Sequence, residues 1–193
     1  FEGARLNYAE RALATRGPGT AVVGRSQTVE PIEWSWDDLH DQVARARAGL
    51  VRLGVRRGDR VAAYLPNVPQ TIAAFLATAS IGAIWTSCAP EFGVQAVLDR
   101  FRQVEPVVLL GVEGYRYGVR DVSRSSELAE IRAGLPSLRA TVVLAYPDPP
   151  TTHDVFGWDD FMSETAPLEF EQVPAEHPLY VLYSSGTTGM PKA

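Results

Sequence analysis

The chain has 193 residues, 46% hydrophobic and 21% charged, enough for one sizeable domain with a core and without the bias of a disordered chain. Its formal net charge of −5 lacks the basic footprint of nucleic-acid binding, although a local cluster of donors can still grip an anion. The single cysteine, Cys88, excludes an internal disulfide, and no run approaches the roughly 20 apolar residues of a membrane helix, so a soluble cytoplasmic protein is expected.

The first residues, Phe1 to Arg5, hold no apolar signal core, and without an initiator Met further residues are expected before Phe1. Leu39, Val43, Ala46, Leu50 and Leu53 recur at spacings of four and three, one stripe of a helix predicted over about Trp36 to Leu53. Ser35 caps it, Asp38 completes a capping box, and Gly54 takes the left-handed position at its end. Arg45, Arg47 and Arg52 fall off the stripe and read as a solvated face. Arg60 to Leu65, apolar throughout after its arginine and ended by Pro66, reads as a strand buried on both faces. A second helix follows, capped by Asn67 with Gln70, burying Val68, Ile72, Phe75 and Ala79 and closed by Gly82. Ala83 to Cys88 reads as a strand, Gly93 to Gln103 as a helix and Val107 to Val112 as a third strand. Ser125 to Leu135 reads as a helix and Thr141 to Ala145 as a fourth strand, before a surface loop at Pro147 to Pro150. The last strand, Leu179 to Tyr183, runs into a glycine-rich segment. Strands alternating with helices predict an α/β fold, a mainly parallel sheet with flanking helices.

Cys88 reads as a small buried apolar residue, and Trp34, Trp36, Trp85 and Trp158 as packing residues. His40, His153 and His177 have no catalytic or metal-ligand spacing and are expected at the surface. Asp37-Asp38 and Asp159-Asp160 read as helix starts, where carboxylates complement the dipole.

The chemistry concentrates in Ser184-Ser185-Gly186-Thr187-Thr188-Gly189-Met190-Pro191-Lys192. Gly186 and Gly189 permit positive φ and bring backbone N–H groups close to an anion. The hydroxyls of Ser184, Ser185, Thr187 and Thr188 can reach phosphate oxygens or Mg²⁺, and Lys192 adds a mobile positive charge. Two residues between the glycines, and a proline before the lysine, distinguish the segment from a Walker A loop.

This segment resembles the signature loop of the adenylate-forming superfamily of acyl-CoA synthetases, peptide-synthetase adenylation domains and luciferases. Trp34 to Leu39, Gly58 to Val61 and Ala79 to Ala83 are similar to earlier segments of that family. Leu6 to Glu10, Thr86 to Gly93, Asp99 to Phe101 and Leu168 to Gln172 resemble its acetoacetate–CoA ligase branch. The resemblance implies a partial N-terminal domain over 1–193, with the rest of that domain and a C-terminal domain carrying the catalytic lysine beyond Ala193. It implies ATP, Mg²⁺ and CoA as cosubstrates and acetoacetate as substrate; the net charge and the lack of a long apolar run lead to no expected nucleic-acid or membrane partner. Ser184, Ser185, Gly186, Thr187, Thr188, Gly189 and Lys192 would hold the ATP phosphates, with Thr188 near Mg²⁺. Arg116 matches an arginine that meets CoA phosphates in related enzymes, and Arg120 stands one position from a second. No catalytic residue is expected within these residues, so the chain alone should be inactive and expose apolar surface. A ligase for acetate or propionate remains open, as does a non-catalytic phosphate-binding module.

Overall fold

The computed structural model describes residues 3–26, 29–146, 151–184 and 191–193. A two-residue strand, β1 (Arg5–Leu6), leads into α1 (Tyr8–Ala12), whose cap Asn7 accepts from Ala9 N at 2.9 Å. The buried Asn7 amide also donates to Ala79 O at 2.9 Å and Glu171 O at 2.8 Å, tying three distant segments together. The hairpin β2 (Thr20–Gly24) and β3 (Ile32–Ser35) precedes α2 (Trp36–Arg52). The Ser35–Asp38 capping box forms, Leu39, Val43, Ala46 and Leu50 are buried, and Gly54 has φ +81°.

Next come β4 (Arg60–Tyr64), α3 (Pro69–Ser80), β5 (Ile84–Cys88), α4 (Val94–Phe101) and β6 (Val108–Val112). The hairpin β7 (Gly114–Tyr117) and β8 (Arg120–Ser123) leads to α5 (Ser125–Ala133) and β9 (Ala140–Leu144). The remaining elements are β10 (Phe156–Gly157), α6 (Trp158–Phe161), β11 (Val173–Pro174) and β12 (Tyr180–Val181). The expected loop at 147–150 lies outside the described residues. No helix among the described residues is long and apolar enough to cross a membrane.

The main sheet has six strands in the order β10-β9-β6-β4-β5-β12, every neighbouring pair parallel, as the alternation of strands and helices predicts. Alternation along each strand feeds two cores. Val61, Ala63, Val108, Leu110, Val142 and Leu144 pack with α2, α3 and α6, whereas Ala62, Tyr64, Leu109 and Val143 pack with α4 and α5. The chain leaves β4 for one face and β5 and β6 for the other, so the connections part at the carboxyl end of β4.

Several local expectations are corrected. Helix α3 starts at Pro69, with Val68 as its cap and no side-chain cap bond; a proline has no N–H to satisfy and suits the first turn, so Asn67 falls one position too early. Ile72 is 36% exposed, because the buried face of α3 is built mainly of alanines, Ala73, Ala74, Ala77 and Ala79. Arg47 and Arg52 are more than a solvated face: Arg47 reaches Glu169 at 3.2 Å, and Arg52 reaches Glu164 at 2.9 Å, fastening α2 to the chain after α6. The last strand is shorter than predicted, pairing only over Tyr180–Val181.

Candidate functional site

All six strands of the sheet point one way, so their carboxyl ends share one edge, where ligands bind in open α/β folds. The glycine-rich segment follows β12 at that edge. β12 is held against β5 by Tyr180↔Trp85 and Val181↔Thr86 pairing. The Thr86 hydroxyl lies 3.2 Å from Val181 O and 2.8 Å from the Tyr183 hydroxyl, fixing the chain just before the segment. Arg100 of α4 stacks its guanidinium 5.0 Å from the Phe92 ring centre and 5.9 Å from that of Tyr183.

Ser184 and Lys192 then close an antiparallel bridge: Ser184 N donates to Lys192 O at 3.1 Å and Lys192 N to Ser184 O at 3.3 Å. The two ends of the predicted phosphate loop are therefore joined at its base. Ser185, Gly186, Thr187, Thr188 and Gly189 lie outside the described residues. On the far side of Lys192, the Gln103 amide donates to Pro191 O at 2.8 Å and accepts from Ala193 N at 3.2 Å. Among the described residues, no group of three or more His, Cys, Asp or Glu side chains could hold a metal ion. A Mg²⁺ here would depend on the loop hydroxyls and on the phosphate oxygens it arrives with.

Arg116 and Arg120 lie on the β7–β8 hairpin, which leaves the carboxyl end of β6. Arg116 pairs with Asp121 at 2.7 Å across the hairpin, and Arg120 stands opposite Tyr117. Arg124 does not share their exposed face: it lies 5.5 Å over the Tyr115 ring and is ion-paired with Glu127. β6 and β12 are three strand spacings apart, on the order of 14 Å, so the arginine hairpin and the Ser184–Lys192 bridge start from separate strands of one edge.

Glu113, at the end of β6, went unnoticed in the sequence. It accepts from Thr151 N at 2.7 Å, Thr151 Oγ1 at 2.8 Å and Thr152 N at 2.7 Å. Tyr64, buried at the end of β4, holds its hydroxyl 2.6 Å from Pro90 O and 2.9 Å from Phe92 O. Burial pushes that phenol up to about 12.

The histidines are only partly at the surface. His40 is 5% exposed, its Nε2 3.0 Å from Thr15 O, because the turn of α2 that carries it packs under the chain after α1. His177 is half-buried with Nε2 2.8 Å from Gly82 O, and His153 is exposed. Trp85 and Trp158 are buried and Cys88 is 6% exposed, all as packing residues. Two described cavities sit at the opposite edge of the sheet from the loop. One, about 430 Å³, borders Thr141 before the middle of β9; the other, about 220 Å³, borders Ala83 and Leu179, before β5 and β12.

The sequence profile of the AMP-binding enzyme family matches residues 9–193, a span that takes in the bridged loop and both arginines. The chain belongs to that family. It is 44% identical over its whole length to an acetoacetyl-coenzyme A synthetase of Rhizobium meliloti, covering 30% of that protein. It is 38% identical over its whole length to the malonamoyl-CoA synthetase vrtB of Penicillium aethiopicum, covering 29% of it. The acetoacetyl-CoA synthetase structure from Streptomyces lividans superposes with a TM-score of 0.94 at 50% identity, over 99% of this chain and 30% of that one. The chain thus spans about a third of the length of these family members. The resemblance read from the loop and its companion segments is borne out.

Proposed function

We propose that the chain supplies the triphosphate-gripping part of an ATP-dependent acetoacetate–CoA ligase. The observation that carries this reading is the Ser184–Lys192 bridge, which joins the two ends of the hydroxyl- and glycine-rich segment after a strand of the parallel sheet. A carboxylate oxygen of acetoacetate attacks the α-phosphorus of ATP; an O–P bond forms, the bond to the β-phosphate bridge breaks, and pyrophosphate leaves. The CoA thiol then gives up its proton to solvent and its sulfur attacks the acyl carbonyl; a C–S bond forms, the acyl C–O bond breaks, and AMP leaves. The chain's own residues act mainly in the first step. Lys192 and the hydroxyls of Ser184, Ser185, Thr187 and Thr188 hold the β- and γ-phosphates, with backbone N–H groups at Gly186 and Gly189, and Thr188 beside Mg²⁺. These groups offset the charge that builds on pyrophosphate as the bond breaks. Arg116 and Arg120 serve the second step by meeting the phosphates of CoA. The Arg116–Asp121 pair is exposed, and exposed ion pairs are weak and screened, so a phosphate can compete with Asp121 for the guanidinium. A cytoplasmic location accords with these cosubstrates.

A second acid is favoured by one finding. The malonamoyl group named for the fungal relative and the acetoacetyl group are both short acyl chains with a carbonyl at the β position, alike in size and shape. Carboxylate-dependent ATP–pyrophosphate exchange on the full-length protein, with acetoacetate, malonamate, acetate and propionate compared, tests both readings. The account predicts the fastest exchange with acetoacetate. Preference for malonamate would support the second reading, and preference for acetate or propionate would overturn both.

A further inference from the structure

We infer that Gln103 is a positioning residue for Lys192, holding the outgoing arm of the phosphate loop at the place where the lysine must meet the leaving pyrophosphate. The inference rests on the phosphate-gripping reading above and adds a residue to it.

Backbone groups around Lys192 point to two sides, as in any extended segment. Its own N–H and C=O are taken by Ser184. Those of its neighbours, Pro191 O and Ala193 N, face the other way, where no strand among the described residues receives them; the carboxamide of Gln103 takes both. One side chain thus serves as a third strand one residue long.

The amide can sit only one way round. Its Nε2 donates to Asp99 O at 2.6 Å and to Pro191 O at 2.8 Å, while Oε1 accepts from Ala193 N. A flipped amide would set oxygen against two carbonyls and nitrogen against an N–H, losing all three bonds. The bond to Asp99 O, one turn back in α4, anchors the side chain to the helix, so the clamp on the loop does not swing. Only a carboxamide of this length supplies two donors and an acceptor here. A carboxylate of the same shape would present oxygen to two carbonyls, and an alkyl side chain would supply neither donor nor acceptor.

Gln103→Leu and Gln103→Glu in the full-length protein test the role, with Lys192→Ala beside them. The two half-reactions are measured apart: acetoacetate-dependent ATP–pyrophosphate exchange, and thioester formation from preformed acetoacetyl-adenylate and CoA, which involves no β- or γ-phosphate. Both Gln103 variants are expected to lower exchange at sub-saturating ATP by about tenfold, through a raised KM for ATP, with thioester formation unchanged. Equal losses in both half-reactions would make Gln103 a merely structural residue and overturn the inference, as would exchange at the wild-type level in either variant. Lys192→Ala separates the two levels: loss of exchange in that variant alone sinks the role of Gln103 and keeps the loop reading. Unchanged exchange in Lys192→Ala sinks the loop reading itself.

Discussion

Glu113 carries three hydrogen bonds from the backbone and hydroxyl groups of Thr151 and Thr152, at a point where β6 passes into the arginine hairpin. Burial pushes its carboxyl up, but the bonds from Thr152 and Thr151 together outweigh it and hold the group below its ordinary value of 4.5. A depressed folded pKa contributes stability that is complete above the unfolded value and is lost as pH falls through the folded one. Glu113→Gln is therefore expected to cost about 1–3 kcal/mol in urea unfolding at pH 7, the difference from wild type narrowing as pH falls below the ordinary value of 4.5. A difference that stayed constant with pH would mean that the charge itself contributes nothing. Cys88 gives a second expectation. Burial pushes its thiol up to about 11, only partly offset by Arg100, so at pH 8 it should resist thiol reagents in the native protein and react in urea. Labelling at the same rate in both states would contradict its place in the core.

Packing between elements makes other residues matter. Gly49 of α2 faces the Phe161 ring and carbonyl so closely that a Cβ there meets both, and the Phe161 backbone cannot move aside as a side chain would. Gly49→Ala is expected to destabilise by about 1–3 kcal/mol, seen as a lower urea midpoint. An unchanged midpoint would show that α6 gives way freely. Among the described residues β12 is an edge strand, with Tyr180 47% exposed and Leu182, just past its end, 71% exposed, so the 193-residue chain by itself should self-associate, and Leu182→Lys should reduce its light scattering. The elements most legible in the sequence were those fixed by local signals. Helix α2 was readable because its cap, its stripe and its Gly54 terminator all lie within one short stretch, and β4 and β6 because they are buried on both faces. The hairpins β2–β3 and β7–β8 and the β1–β11 pair were not, since they are short, only partly buried and shaped by their neighbours. The candidate site divides the same way. Its loop was visible as a run of glycines, hydroxyls and one lysine, whereas Gln103 and Thr86, 88 and 97 residues distant from the Pro191 and Tyr183 they hold, become visible only when the sheet assembles.

At the scale of the molecule, the arginine hairpin and the bridged loop share one edge of the sheet with three strand spacings between them. That separation suits two reaction steps served by different residues. Arg116→Ala is expected to raise the KM for CoA several-fold without altering ATP–pyrophosphate exchange, and an effect on exchange instead would assign Arg116 to the first step. The central claim is that a carboxylate oxygen attacks the α-phosphorus. Turnover of carboxylate-¹⁸O-labelled acetoacetate with ATP and CoA by the full-length protein, followed by mass spectrometry of the nucleotide product, tests it most directly. The account predicts one ¹⁸O atom in AMP, carried there as the acyl C–O bond breaks. Label in inorganic phosphate with ADP as the nucleotide product would mean attack on the γ-phosphorus, and the adenylate account would be wrong.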